Sequence, residues 1–231
     1  MKTQNKYHWL LAIPFFFALL LSGCSREIYK TAGYDAYAPS HHVIAVLPVK
    51  TITTGRIPEE WTDEVIKEIE ENESQAFQIA LFDEISERSG VRANEVGVTL
   101  QHYSETNALL GRAGIGIRES WDMPPTELAD ALGVDAVVRA VVRKDMFLTD
   151  MESFGLDMAR TALAIFTEAP WWMIPGPKTS DVYVSSAIID GGSGTVIWNT
   201  EKVKSTDWNK THPQIVRDLA RVMARRFPYR D

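Results

Sequence analysis

The chain contains very little cysteine, because Cys24 is the only one among 231 residues. A single cysteine excludes an internal disulfide and any metal or redox site that needs paired thiols. An exported chain rarely keeps one reactive thiol without a use. Cys24 stands directly after an apolar N-terminal run, and this position is the first clue to what it does.

A long apolar run is also absent. The most apolar stretch, residues 10–21, has 12 residues before small residues follow, whereas a membrane-spanning helix needs about 20. Lys2 and Lys6 precede this stretch, as in the basic n-region and short apolar h-region of a signal peptide. We predict that residues 1–23 are a cleaved signal and that the mature protein has no transmembrane helix.

The string Leu-Ser-Gly-Cys at residues 21–24 resembles the lipobox of bacterial lipoproteins. The resemblance implies cleavage between Gly23 and Cys24 and acylation of Cys24, with palmitate among the acyl groups. Stable anchoring takes two or more acyl chains. Ser25 stands where an aspartate would retain a lipoprotein in the inner membrane, so the outer membrane is favoured. The alternative is a free thiol in an ordinary signal peptide.

An excess of basic residues is absent as well. The formal net charge is −7, from 24 basic and 31 acidic residues. Loss of residues 1–23 removes Lys2 and Lys6 and no acidic residue, which leaves −9. This charge opposes nonspecific binding to nucleic acid or to an anionic bilayer surface, since both need a basic footprint.

Motifs that carry a recognisable chemistry are missing too. Ser193 lies between glycines, but Thr195 stands where a Gly-x-Ser-x-Gly nucleophile motif needs its second glycine. We therefore predict no catalytic, cofactor-binding or metal-binding residues, and no enzymatic activity. One alternative stays open: an envelope hydrolase whose candidate residues are His102 with Asp135 or Asp190.

The patterns that are present indicate an α/β fold. A β-branched apolar run at residues 43–49 is typical of a strand buried on both faces. Residues 58–90 have helical spacing, and two alternating stretches flank the glycine-rich turn after Asp190. We predict a single domain over residues 41–231, a sandwich with a mixed sheet flanked by helices, ending in a β-hairpin and a helix. Residues 24–40 are predicted to be a flexible tether between lipid and domain.

Acidic residues crowd the first half of the predicted long helix. A helix spreads carboxylates around its surface, so we expect a solvated face favoured by the helix dipole and not a metal site. The residues concerned are Glu59, Glu60, Asp63, Glu64, Glu68, Glu70, Glu71 and Glu73.

A hydrophobic insertion interrupts the domain at residues 150–178. Its first part has a helical period, and paired tryptophans between prolines follow. The segment is too short and too charged to span a bilayer. It is expected to contact a lipid interface, another subunit or the domain's own core. The candidate interface residues are Phe154, Met158, Ile165, Phe166, Trp171 and Trp172.

Three stretches carry recurring sequence features: Leu47-Pro48 at the end of an apolar run, Leu132-Gly133 before Asp135, and Asp190, Gly194 and Trp198 in the predicted hairpin. Together they resemble the bacterial lipoprotein superfamily that includes the curli-secretion lipoprotein CsgG and the penicillin-binding-protein activator LpoB. The resemblance implies a non-enzymatic α/β domain that works in envelope assembly, secretion or activation of a protein partner, without cofactors.

The implied location is the outer membrane, with the lipid on Cys24 as the anchor. The domain then faces the periplasm or, alternatively, the cell surface. A homo-oligomer is a further expectation, and an oligomeric secretion channel is a second possibility for the function. The helical period and prolines of residues 150–178 depart from the alternating hairpins of CsgG-type pores.

Overall fold

The structure is a computed structural model that describes residues 28–57, 62–89, 98–146, 180–206, 212–225 and 227–229. Within these ranges, seven strands form one sheet and six α-helices accompany it. The strands are β1 (Ile28–Lys30), β2 (Val43–Val46), β3 (Lys50–Gly55), β4 (Thr99–Gln101), β5 (Ala136–Met146), β6 (Ser180–Asp190) and β7 (Val196–Thr206). The helices are α1 (Tyr34–Tyr37), α2 (Asp63–Ser89), α3 (Tyr103–Arg112), α4 (Ile117–Asp122), α5 (Pro125–Leu132) and α6 (His212–Ala224). A 3-10 turn, Ala38–Ser40, follows α1.

The sheet is mixed, with the strand order β1-β7-β6-β5-β2-β4. β2 and β3 both run parallel to β5, on the same side of it. They are separated by a break that contains Pro48, which cannot donate a ladder hydrogen bond. β5, β6 and β7 are antiparallel neighbours. This architecture confirms the predicted α/β class.

The core has two halves, one on each face of the sheet. Val138 of β5 belongs to the half that includes Leu81 of α2 and Leu219 of α6. Its neighbour Val137 belongs to the half that includes Leu128 of α5. Successive strand residues point to opposite faces, so β5 contributes to both halves of the core.

Two of the acidic residues expected on a solvated face of α2 are buried instead. Glu70 and Glu73 are each only 6% exposed. Glu70 accepts hydrogen bonds from the Thr53 N–H at 2.9 Å and from the Arg118 guanidinium at 3.0 Å, and Glu73 accepts from Lys144 Nζ at 2.5 Å. The expectation is wrong for these two residues, because Glu70 accepts a backbone hydrogen bond from β3 and Glu73 pairs with a lysine of β5.

The N-terminal part of the domain is also more structured than expected. Ile28 pairs with Thr200 as β1 joins β7, and Tyr34 is buried with its hydroxyl donating to the Pro228 carbonyl at 2.8 Å. Within the predicted tether of residues 24–40, the sheet and the C-terminal residues hold residues 28–40. Residues 24–27 lie outside the described residues.

Two glycines allow close packing at the end of the sheet where the β6–β7 hairpin turns. Gly133 ends α5 with φ 64°, a left-handed conformation that favours glycine. A Cβ on Gly191 would lie 2.6 Å from the Ala129 Cβ and 2.8 Å from the Asp135 carbonyl oxygen. The hairpin turn therefore packs directly against α5 and the start of β5.

Candidate functional site

A cluster of titratable side chains lies where the hairpin turns. β6 ends at Asp190, whose Oδ2 accepts hydrogen bonds from the Ser193 N–H at 2.7 Å and the Ser193 Oγ–H at 2.6 Å. This local closure is the usual role of Asp in a turn. The other carboxylate oxygen, Oδ1, lies 2.8 Å from Nε2 of His41. We call His41, Asp190, Ser193 and Tyr229 the turn cluster.

His41 joins three parts of the chain. It is 2% exposed, and its Nδ1 hydrogen-bonds the hydroxyl of Tyr229. Burial raises the pKa of Tyr229, so the phenol keeps its proton and can donate it to Nδ1, while Nε2–H donates to Asp190. With these roles, both ring nitrogens have a hydrogen-bond partner. The turn cluster thus ties the start of β2 to the hairpin turn and to the C-terminal residues.

The charge state of Asp190 follows from the same contacts. Burial acts to raise the pKa of this carboxyl, but hydrogen bonds from Ser193 and His41 outweigh burial and leave the pKa below its ordinary value. Asp190 is therefore an ionised acceptor. A Ser-His-Asp triad needs the imidazole between serine and carboxylate. In the turn cluster Ser193 bonds to Asp190 instead, so His41 is not in position to activate it.

The predicted hydrolase residues are not brought together. His102 lies at the start of α3, where its Nδ1 accepts the Ser104 N–H at 3.2 Å. Asp135 accepts the backbone N–H groups of His42 and Val43 at 2.7 and 2.9 Å. The bond from Val43 is the main reason that the pKa of Asp135 is lowered. Asp190 pairs with His41, a residue that the sequence interpretation did not select.

A shallow groove of about 480 Å³ lies on the half of the sheet that is farther from the hairpin turn. It contains the most exposed large apolar side chain of the described residues, Val203 at 53%, and also Tyr183 at 37%. The Arg143 guanidinium carbon lies 4.4 Å from the centre of the Tyr183 ring. We call this surface the open groove; its lining residues are Ile52, Val141, Arg143, Tyr183, Val184, Ser185, Glu201, Lys202 and Val203.

The open groove exists because the second face of the sheet is only partly covered. Val137 and Ile189 on this face pack with Leu128 and Leu132 of α5 near the hairpin turn. Further along β5 the same face carries Val141, which is only half-buried. Within the described ranges, none of the principal contacts of α3, α4 and α5 is with β7. Side chains of β7 on this face therefore meet solvent.

Several predicted site residues cannot be placed. Gly23 and Cys24 lie outside the described residues, and so do all six candidate interface residues of the insertion at residues 150–178. In the part of the chain that the structure describes, no three His, Cys, Asp or Glu side chains form a group suited to holding a metal ion. Of the helices described, none combines the length and apolar character needed to cross a bilayer.

The described residues thus define an α/β domain whose buried titratable side chains serve structural hydrogen bonds and whose open groove is exposed. No protein-family model and no curated protein matches the chain. Among solved structures, the chain is similar to the lipoprotein GNA1162 from Neisseria meningitidis, with a TM-score of 0.45 and 12% identity over 78% of this chain and 94% of that one.

Two further solved structures are similar. The PelC dodecamer from Paraburkholderia phytofirmans has a TM-score of 0.39 and 11% identity, over 85% of this chain and 94% of that one. The LpoB C-terminal domain from Escherichia coli has a TM-score of 0.34 and 11% identity, over 87% of this chain and 100% of that one. These are similarities of fold at low sequence identity, and LpoB is one of the proteins that the sequence motifs resemble.

Proposed function

We propose that this protein is a lipid-anchored envelope protein that acts through protein contacts and not through catalysis. The observation that carries the proposal is the string Leu-Ser-Gly-Cys at residues 21–24, which resembles a lipobox and follows a short signal-like stretch. Its cysteine is the only one in the chain, as expected when the thiol is used for acylation. The proposed location is the outer membrane, with the domain in the periplasm.

The open groove is the proposed contact surface. Tyr183 and Val203 offer exposed apolar area, and Arg143 adds a cation beside the aromatic ring. Tyrosine and arginine are enriched among the residues that dominate binding energy at protein interfaces. The turn cluster supports the non-catalytic part of the proposal, because the Ser193 hydroxyl donates to Asp190 and not to the His41 imidazole.

The anchor is tested by fractionation of cells that express the full chain. Wild type is expected in the membrane fraction, whereas Cys24→Ala is expected as an uncleaved, unlipidated precursor. Metabolic labelling with a palmitate analogue gives the direct readout, with signal in wild type and none in Cys24→Ala. A membrane-bound wild type that takes up no label would refute the proposal.

The contact surface is tested by photo-crosslinking in intact envelopes. A photoreactive amino acid at Ser185, inside the open groove, is compared with one at Thr195, which is exposed at the hairpin turn. A discrete adduct is expected only at Ser185, and Tyr183→Ser is expected to reduce its yield. The same adducts at both positions, or an adduct unaffected by Tyr183→Ser, would refute this assignment.

A further inference from the structure

The ordered domain begins very close to the proposed lipid. β1 starts at Ile28, only four residues after Cys24. A fully extended chain spans at most about 3.6 Å per residue, so the Cα atoms of Cys24 and Ile28 lie no more than about 14 Å apart, whatever the conformation between them. Given the proposed acylation of Cys24, the bilayer surface must lie within this distance of Ile28.

This distance excludes the two ends of the strands as the surface nearest the bilayer. Ile28 pairs with Thr200, near the middle of β7. At about 3.4 Å per residue, Thr195 at the hairpin turn is about 17 Å from Thr200 along the strand, and Thr206 is about 20 Å away. Both distances exceed the available length of chain.

The helix-covered face is excluded in the same way. α1 and α6 both contact β7 on the face that packs with α2. A helix with its side chains is about 10–12 Å thick, and half the spacing between packed layers adds about 5 Å. A bilayer on that side would lie about 15 Å or more from the plane of the sheet, again beyond the length of the chain.

The remaining surface is the β1–β7 edge of the sheet. Successive side chains of β7 point to opposite faces. Glu201 and Val203 therefore lie on the uncovered face, whereas Lys204 lies on the helix-covered face, 3.7 Å from Asp218 of α6. The length of the chain, and not the charge of this surface, selects the edge.

We infer that the anchor holds the domain with the β1–β7 edge of its sheet against the bilayer surface and the β4 edge directed away from it. The inference rests on the proposed lipidation of Cys24. With strands about 4.8 Å apart, β4 is about 24 Å farther from the membrane than β1. The open groove, which includes Glu201 and Val203 of β7, then lies beside the bilayer.

The test measures the distance of two matched labels from lipid headgroups. Acylation leaves Cys24 without a free thiol, so a cysteine introduced elsewhere is the only labelling site. Glu201→Cys lies on β7, and Glu105→Cys lies on α3 beside β4; both native residues are exposed glutamates. Each full-length lipidated variant is labelled with a fluorophore and incorporated into phosphatidylethanolamine–phosphatidylglycerol vesicles that contain a headgroup spin-labelled lipid.

We expect the spin label to reduce the fluorescence at position 201 and to leave position 105 unchanged. Equal loss at both positions, loss only at 105, or no loss at either would overturn the inference. A control inserts about 20 Gly and Ser residues between Arg26 and Glu27, a linker with a mean span of about 25 Å; the loss at 201 should disappear. Co-flotation with the vesicles separates the two proposals, because a chain that fails to float refutes the anchor itself.

Discussion

The turn cluster and the open groove differ both in residue type and in burial. The turn cluster holds the residue types usually associated with catalysis, His41, Asp190, Ser193 and Tyr229, yet their hydrogen bonds fasten chain segments to one another. The open groove holds ordinary sheet residues, but Val203 and Tyr183 remain exposed. The comparison teaches that burial and hydrogen-bond partners, more than residue type, separate a structural cluster from a contact surface.

The largest expected effect is on the turn cluster. Asp190→Ala removes the acceptor of three hydrogen bonds and leaves the buried His41 Nε2–H without its partner. We expect a loss of about 3 kcal/mol in the free energy of unfolding, measured by urea denaturation of the full chain in detergent. Thr195→Ala, at an exposed position of the same turn, is the control; an equal loss there would show that the cluster has no special role.

The second-largest expected loss of stability is at Gly191, whose backbone packs closely against α5. Gly191→Ala places a methyl group against Ala129 and the Asp135 carbonyl, and overpacking of this kind costs about 2 kcal/mol. Gly192→Ala is the matched control, since its nearest neighbour is an Asp190 oxygen at 3.6 Å. Its unfolding midpoint in urea should stay close to wild type. Equal midpoints for the two variants would contradict the packing described.

A change of pH is expected to have a smaller effect on the free energy of unfolding. The pKa values of Asp190 and Asp135 are lower in the folded protein than their ordinary values, so ionisation favours the folded state. This stability is fully present above the unfolded pKa of about 3.9 and is lost as the pH falls through the folded values. Urea midpoints from pH 7 to pH 2.5 should therefore converge for wild type and Asp190→Ala. A constant difference would contradict the ionised state of Asp190.

The smallest effect on stability is expected in the open groove. Val203→Ser changes a side chain that is 53% exposed, and exposed substitutions of this kind usually stay within about 0.5 kcal/mol. The same variant is expected to weaken the photo-crosslinked adduct at Ser185. A large loss of stability with an unchanged adduct would make Val203 a structural residue and remove the contrast with the turn cluster.

Much of the fold could be predicted because its signals are local. Alternation along β6 and β7 and the turn after Asp190 predicted the hairpin, and the apolar run at residues 43–49 predicted the buried β2 strand. β1 was missed because its three residues are too short for any periodicity to show. The burial of Glu70 was missed because its hydrogen-bond donor, the Thr53 N–H, belongs to a different element, β3.

The turn cluster could not be predicted because its contacts are distant in sequence. His41 and Asp190 are 149 positions apart, and His41 and Tyr229 are 188 apart. They meet because β2 lies parallel to β5, while β6 runs antiparallel and pairs Asp190 with Ala136. From that strand order one could have predicted that His41 lies beside Asp190. The candidate interface residues of the insertion and the lipidation of Cys24 remain predictions.

The central claim is tested most directly by mass spectrometry of the N-terminal peptide from the chain purified out of bacterial membranes. The account predicts a mature protein that begins at Cys24 and carries acyl groups on that residue. An N-terminus at any other residue, or a Cys24 with an unmodified thiol, would contradict it.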